Sequence, residues 1–380
     1  MPTVKKNNAE SPHKYNLRKI FLFSCFTFFS FILSSCYTIK QGYYQVSLLF
    51  QQEDIEEILK EKKLPEEELK KIETVQRALD FGRNDIGLTP GDSYKKYIKL
   101  DRNVVTFIVQ AAEKRKLKRV TWWFPIVGSM PYLGFFVRED AKEQFEELKE
   151  EGYDVTLGGA SAFSLLGYFP DPLYSSMIRK RSYVDIVELI LHEITHRTIY
   201  IPGFSAFNEN LADFVAFKST QIYLDKYGPL NDMNTESYIE SNKRNKVARA
   251  KFNEFLNVAL DEFKEFYKQA NDNPELKDDE TFLKARQQKF DEISDRYNNE
   301  LGEFIKDTNF KYYFRKGKYN NSSLMGWSLY HSKQEPFEKL YSKAGSHPKT
   351  FLSTIKGCLL GKDFTSEEAL WKEVSECQSF

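Results

Sequence analysis

A chain of 380 residues, 41% of them hydrophobic, holds enough material for a sizeable core in one large domain or two lobes. Its 55 basic and 55 acidic side chains balance to a formal net charge of zero. That balance excludes the strong basic excess on which nucleic-acid binding depends, so no nucleic-acid partner is expected.

The N-terminus does not read as part of the fold. Lys5, Lys6, Lys14, Arg18 and Lys19 form a basic flank, and Ile20 to Leu33 is almost wholly apolar. This run is too short for a comfortable span, which needs about 20 residues, but it has the size of a secretory h-region. Leu33-Ser34-Ser35-Cys36 resembles a bacterial lipobox, where the peptide is cut before the cysteine and lipid is attached to it. Residues 1–35 are therefore expected to be a lipoprotein signal peptide, with Cys36 lipidated and the chain held at the bacterial cell envelope. A plain signal peptide or a short retained anchor is the alternative. Tyr37 supplies no acidic retention signal, which favours the outer membrane, facing the periplasm. Export also permits a disulfide between Cys358 and Cys377, and two unpaired thiols are the other reading.

Along the body, residues 36–100 are expected to form a tether and helices. Residues 43–60 read as the tether running into a helix, and Leu64-Pro65 breaks it. Glu66 to Phe81 follows as a helix, with apolar residues at Leu69, Ile72, Val75 and Leu79. Strands are predicted at Asn103 to Ala111, Val120 to Val127 and Pro131 to Val137. A charged helix over Arg138 to Glu151 is stopped by Gly152, and Tyr153 to Leu157 opens another strand. Residues 101–235 are expected to be the catalytic core, and residues 311–380 a helical part that completes its cleft. Between them, residues 236–310 alternate Lys/Arg with Asp/Glu. Phe252, Phe255, Leu256, Leu260, Phe263 and Phe266 recur at helical steps there. These residues read as long amphipathic helices, broken at Asn271 to Pro274, that pack on the core or bind a protein partner.

The chemistry lies between Ser182 and Phe217. Ser182 to Asp185 resembles a capping box, so a helix should begin there. That helix is apolar on several faces, which is the mark of burial, yet it carries His192, Glu193 and His196. Burying such groups unpartnered is costly. Their spacing offers the compensation. Two histidines four apart project from one face and can share one zinc ion. Glu193 stands beside the first and can take a proton from water activated by that ion, whose pKa falls to about 7. After Pro202-Gly203 a second helix begins near Ser205. Glu209, Ala212, Asp213 and Ala216 share one of its faces, and the alanines let it approach the first helix. Glu209 then completes a His2Glu site and Asp213 orients a ligand histidine. The reverse assignment, Asp213 as ligand and Glu209 as support, is the rival, and the helix face favours Glu209.

HEITH followed by NENLAD resembles the Glu-zincin pattern, HExxH then NExxA with an acid four residues beyond the glutamate. Twelve residues separate His196 from Glu209, a short gap that matches one family, the bacterial predicted aminopeptidases found as lipoproteins. Trp122 to Phe136 (WWFPIVGSMPYLGFF), Gly158 to Pro172 (GGASAFSLLGYFPDP) and Asn320-Asn321 with Leu329-Tyr330-His331 resemble its further segments. The similarity spans roughly residues 36–220 and 318–356. Trp123 and Ser129 stand where many members have cysteines, and Phe163 replaces a tyrosine near the expected cleft. The resemblance implies an α+β, zincin-like metallopeptidase with a small mixed sheet, one Zn2+ and a peptide substrate.

Other motifs are less specific. An edge strand before the active helix can pair with extended substrate, and Val155 to Leu166, with Gly159 and Phe163, is the candidate. Tyr330 and His331 are candidates to donate to an oxyanion. Asp171, between two prolines, is a candidate for a substrate amino group or a rigid turn. Two other function classes stay open. One is a zinc-binding lipoprotein without catalysis, a scaffold or pseudoenzyme. The other is a zinc hydrolase of another amide, such as a cell-wall cross-link.

Overall fold

The structure is a computed structural model and describes residues 37–124, 128–160, 170–231, 233–328 and 334–377. The chain divides into two units, Met1–Gln51 and Gln52–Phe380. The described residues of the first unit form one helix, α1, over residues 37–49. No tether begins at residue 43. The run from Tyr37 to Leu49 holds no proline and a single glycine, so nothing interrupts its hydrogen-bond ladder.

The second unit is helical with small sheets. Its strands are β1 (Glu53–Asp54), β2 (Lys96–Ile98), β3 (Thr106–Ala112), β4 (Trp122–Phe124), β5 (Gly128–Met130), β6 (Leu133–Phe135), β7 (Asp154–Ala160) and β8 (Leu173–Tyr174). β2 pairs antiparallel with β1 and parallel with β8. β3 lies between β6 and β7, antiparallel to both, and β4 pairs with β5. The strand expected over Val120 to Val127 is shorter, because Val120 turns its N–H back to the Ala111 carbonyl (2.9 Å). Residues 125–127 lie outside the described residues.

Its helices follow the expected periods. α2 (Ile55–Glu61) is capped by Asp54, whose carboxylate accepts from the Glu56 N–H (3.0 Å). α3 (Glu66–Phe81) starts after Pro65; Ile72, Val75 and Leu79 of its predicted stripe are buried, Leu69 is half-buried, and Ala78 is buried beside them. α4 (Arg138–Glu150) ends at Gly152, whose φ of 92° is the left-handed conformation that glycine takes without strain. α5 (Ser175–Ile178) is a single turn. α6 (Tyr183–Thr198) and α7 (Ser205–Tyr227) form the most extensive helix pair, and α3 covers another side of α6.

The charged region forms two long helices, α8 (Thr235–Asp272) and α9 (Asp279–Ile305), with the break at Asn273-Pro274 where the sequence places it. Phe252, Phe255 and Phe263 of α8 pack with Phe290 and Tyr297 of α9 and with Phe314 in one buried aromatic cluster. A buried ion pair ties this hairpin to the sheet. Arg286 contacts Asp154 at the start of β7, and Asp154 also accepts from the Asn321 N–H (2.9 Å).

α10 (Asn321–Trp327), α11 (Glu335–Lys343), α12 (Pro348–Leu359) and α13 (Glu367–Glu376) complete the unit. Phe337, Phe351 and Trp371 from the last three pack on Phe207 and Phe214 of α7. Cys358 and Cys377 are bridged, which resolves the open reading in favour of the disulfide and ties α12 to the end of α13. Closing this short loop contributes about 3 kcal/mol by restricting the unfolded chain.

Candidate metal centre

α6 begins where the sequence places it. The Ser182 hydroxyl accepts from the Asp185 N–H (3.2 Å), which supplies the expected N-cap. Val184, Ile186, Val187, Ile190, Leu191 and Ile194 are all buried. His192 and His196, one turn apart, present their rings together, with the two Nε2 atoms 3.1 Å apart.

α7 enters in a fixed register. After α6 ends, the Asn208 side chain clamps the backbone of Ile201. Its Oδ1 accepts from the Ile201 N–H (2.9 Å) and its Nδ2 donates to the Ile201 carbonyl (2.8 Å). Both residues are buried, so these bonds are shielded from water. Glu209 is the next residue. Its Oε2 lies 3.4 Å from His192 Nε2 and its Oε1 lies 3.5 Å from His196 Nε2. Ala212 and Ala216 are wholly buried, as close approach of the two helices requires.

The donor set fits a zinc ion. A tetrahedral site with bonds of about 2.0–2.1 Å places its ligand atoms about 3.3 Å apart. The two Nε2 atoms, 3.1 Å apart, are close to that value, and Glu209 sets one oxygen 3.4 Å from His192 Nε2 and the other 3.5 Å from His196 Nε2. One imidazole nitrogen per ring and one carboxylate oxygen converge within 4.8 Å of one another, a group able to hold a metal ion. The outer contact also fits. His192 Nδ1 lies 3.0 Å from Asp213 Oδ1, which fixes that ring and leaves Nε2 free to ligate. Asp213 points at the far side of the ring, away from the shared point, so the arrangement supports Glu209 as ligand and Asp213 as its support.

Without an ion, the same convergence attracts a proton. Burial opposes charge on His192, but hydrogen bonds to Asp213 and Glu209 outweigh it and raise its pKa to about 10. His196, buried and beside that positive ring, is pushed down to about 4. Burial raises the Glu193 carboxyl above its ordinary value, with the neighbouring charge of His192 acting the other way.

Four contributors, Arg249, Glu188, Tyr238 and Tyr94, are not among the site residues expected from the sequence. Arg249 of α8 reaches Asp213 Oδ2 (3.5 Å) and holds the second oxygen of that carboxylate. Glu188 lies one turn before His192 on α6. Burial raises its pKa to about 7, and Tyr238 of α8 lies beside it. Tyr94 is buried with φ at 63°, held by its N–H to the Asp171 carbonyl (2.7 Å) and by Gln76 donating to its own carbonyl (3.0 Å). Its phenol lies in the field of Glu193 and Asp171. Helical spacing singles out Glu188, four residues before His192. Arg249 and Tyr238 have no sequence signal, because only the tertiary packing of α8 brings them to α6 and α7.

The remaining candidates are placed as follows. Asp171 is buried, its N–H donates to Ser93 Oγ (3.0 Å) and its carboxylate lies 3.8 Å from Arg197 Nη1, so a cation already faces it. Gly159 pairs with Phe107 in β7, the edge strand of its sheet among the described residues. A Cβ there would meet Val104 at 2.6 Å, a packing reason for glycine that needs no substrate. Cys36, Phe163, Tyr330 and His331 lie outside the described residues.

Residues 36–369 match the profile of the family described as "Putative aminopeptidase". The chain belongs to this family. Membership of this aminopeptidase family points to peptidase chemistry and covers both the helices of the metal centre and those that support them. No curated protein and no solved structure matches the chain.

Proposed function

We propose that this family member is a zinc-dependent peptidase of the zincin type, acting on the N-terminal end of peptides. The observation that carries the reading is the convergence of His192, His196 and Glu209 at zinc-ligand separations, with Glu193 as the next residue after a ligand. A bound zinc ion supplies Lewis-acid polarisation of a carbonyl and acidifies water. The chain's own residues do the rest. Glu193, next to a ligand histidine and with its carboxyl raised above its ordinary value by burial, is suited to accept a proton from the attacking water and return it to the leaving amine. Asp213, braced by Arg249, holds the His192 ring in the tautomer that directs Nε2 to the shared point. The fit of the donor set and the family membership support the reading together.

We further propose that the protein is tethered at the cell envelope through Cys36, which the basic flank, the apolar run and the Leu33-Ser34-Ser35-Cys36 sequence support.

Glu193→Gln tests the catalytic reading. The variant should bind one zinc per chain like wild type and lose about 100-fold or more of its peptide hydrolysis. Metal analysis and mass-spectrometric mapping of cleaved peptides measure both. Equal activity in the variant would leave zinc binding without a catalytic role, and cleavage only at internal bonds would replace the aminopeptidase assignment.

A further inference from the structure

Four large apolar or aromatic side chains of the first unit stand open to solvent in one row. Ile39 is 69% exposed, Tyr43 69%, Val46 49% and Phe50 86%. They sit at i, i+4, i+7 and i+11 along α1 and the residue that follows it. At 100° per residue, these positions fall within an arc of about 60°. Exposed apolar residues scattered singly need no explanation, but a continuous helical stripe does. The neighbouring positions Lys40 and Gln51 are also exposed, and they project off the stripe.

The surrounding sequence says what covers the stripe. There is no aspartate or glutamate from Ser11 to Gln52, in a chain that carries 55 of them. The stretch from Tyr37 to Gln52 has Lys40 as its one charged residue. An acid-free helix is compatible with the anionic surface of a bacterial membrane, and Tyr43 is an aromatic of the type that settles at the headgroup level. The apolar run Ile20 to Leu33 ends a few residues before α1 begins, so whatever that run inserts into lies within reach of the helix. α1, thirteen residues over 37–49, is too short to cross a bilayer. Among the described residues, no helix is long and apolar enough to do so.

We propose that α1 lies in the plane of the membrane surface, with Ile39, Tyr43, Val46 and Phe50 inserted among the lipids. The inference rests on the envelope tether proposed above and goes beyond it. A tether alone leaves the following residues in water, whereas an inserted stripe makes a second attachment.

The test uses the full chain with Cys25 and Cys36 replaced by serine, reconstituted in vesicles of phosphatidylethanolamine and phosphatidylglycerol. In this variant the uncleaved apolar run Ile20 to Leu33 stands in for the lipid on Cys36 and brings α1 to the bilayer, so the outcome does not depend on lipidation. A nitroxide label is attached to one introduced cysteine at a time: Tyr43→Cys and Phe50→Cys on the stripe, Lys40→Cys and Gln51→Cys off it. Collision with oxygen and with a water-soluble nickel complex reports depth. Labels at 43 and 50 should lie about 5–10 Å below the headgroup boundary, with labels at 40 and 51 in water. Circular dichroism and zinc content of each labelled protein confirm that the fold is kept. If the protein floats with the vesicles but all four labels are equally exposed to nickel, the inserted stripe is wrong, while the Cys36 tether, which this variant lacks, is unaffected. If the protein does not float with the vesicles, α1 has no hold on a bilayer and the inserted stripe is wrong. Dipolar broadening between labels at 43 in vesicles, with no gain in depth, would assign the stripe to a second copy of the chain and overturn the membrane assignment.

Discussion

Asn208→Ala isolates the clamp that sets the register of α7 against α6. The alanine removes both partners of Ile201, whose N–H and carbonyl are then buried without replacement. Each of the two stranded groups costs about 1–3 kcal/mol, so the loss should be about 2–6 kcal/mol. That is a large part of the roughly 5–15 kcal/mol available to a folded protein. The effect should also reach the metal centre, because Glu209 follows Asn208 directly and its two oxygens face the two histidines. Urea unfolding in chelator gives the stability loss, and competition with a zinc-binding dye gives the affinity. Gln221→Ala, on the same helix and bonded only to a carbonyl of its own turn, is the control and should change stability by no more than about 0.5 kcal/mol. A variant that loses less than about 1 kcal/mol and binds zinc as tightly as wild type would show that the clamp does not hold the ligand in place.

Asp213→Ala should weaken zinc binding about 10- to 100-fold while leaving the three ligands intact, as the same competition assay would show. pH should act on the metal-free protein through His192, whose proton stabilises the fold fully below its unfolded pKa of about 6.5 and is lost as pH rises through about 10. Thermal melts in chelator should therefore fall between about pH 7 and pH 9, while zinc-loaded protein, already without that proton, shows no matching decline. Zinc affinity should rise about tenfold per pH unit over the same window, since one proton leaves for each ion bound. Arg286→Met should destabilise by about 3–5 kcal/mol in denaturant melts, because it strands the buried Asp154 carboxylate. Arg286→Met with Asp154→Leu should recover much of that loss.

Much of the fold and centre was legible because its signals are local. Helical periods marked α3, α4, α8 and α9 within a residue or two at most ends, and signals at Ser182 and Gly152 marked the start of α6 and the end of α4. The ligand pair was legible because four-residue spacing is a property of the helix itself. Short strands were harder. β4 keeps three of the five described residues of the predicted strand, since an apolar run alone does not say where pairing begins. α1 was missed because its composition is apolar on opposite sides, which masks a single amphipathic face.

The environment of the histidines was only half legible, and for a physical reason. A ligand set needs a few side chains at helical spacing, which sequence shows. Its tuning needs charges delivered from a distant element, which sequence hides. Arg249 braces Asp213 from α8, a helix whose alternating charges read as an ordinary solvated face. Nothing in the run Lys246 to Arg249 distinguishes the one cation that turns inward. What selects it is the packing of Phe252 and Phe255 into the aromatic cluster, which fixes the rotation of α8 about its axis. The aromatic hairpin and the metal centre are thus linked through one helix rotation. Replacing Phe252 and Phe255 with alanine should therefore loosen Asp213 and zinc binding as well as the hairpin core.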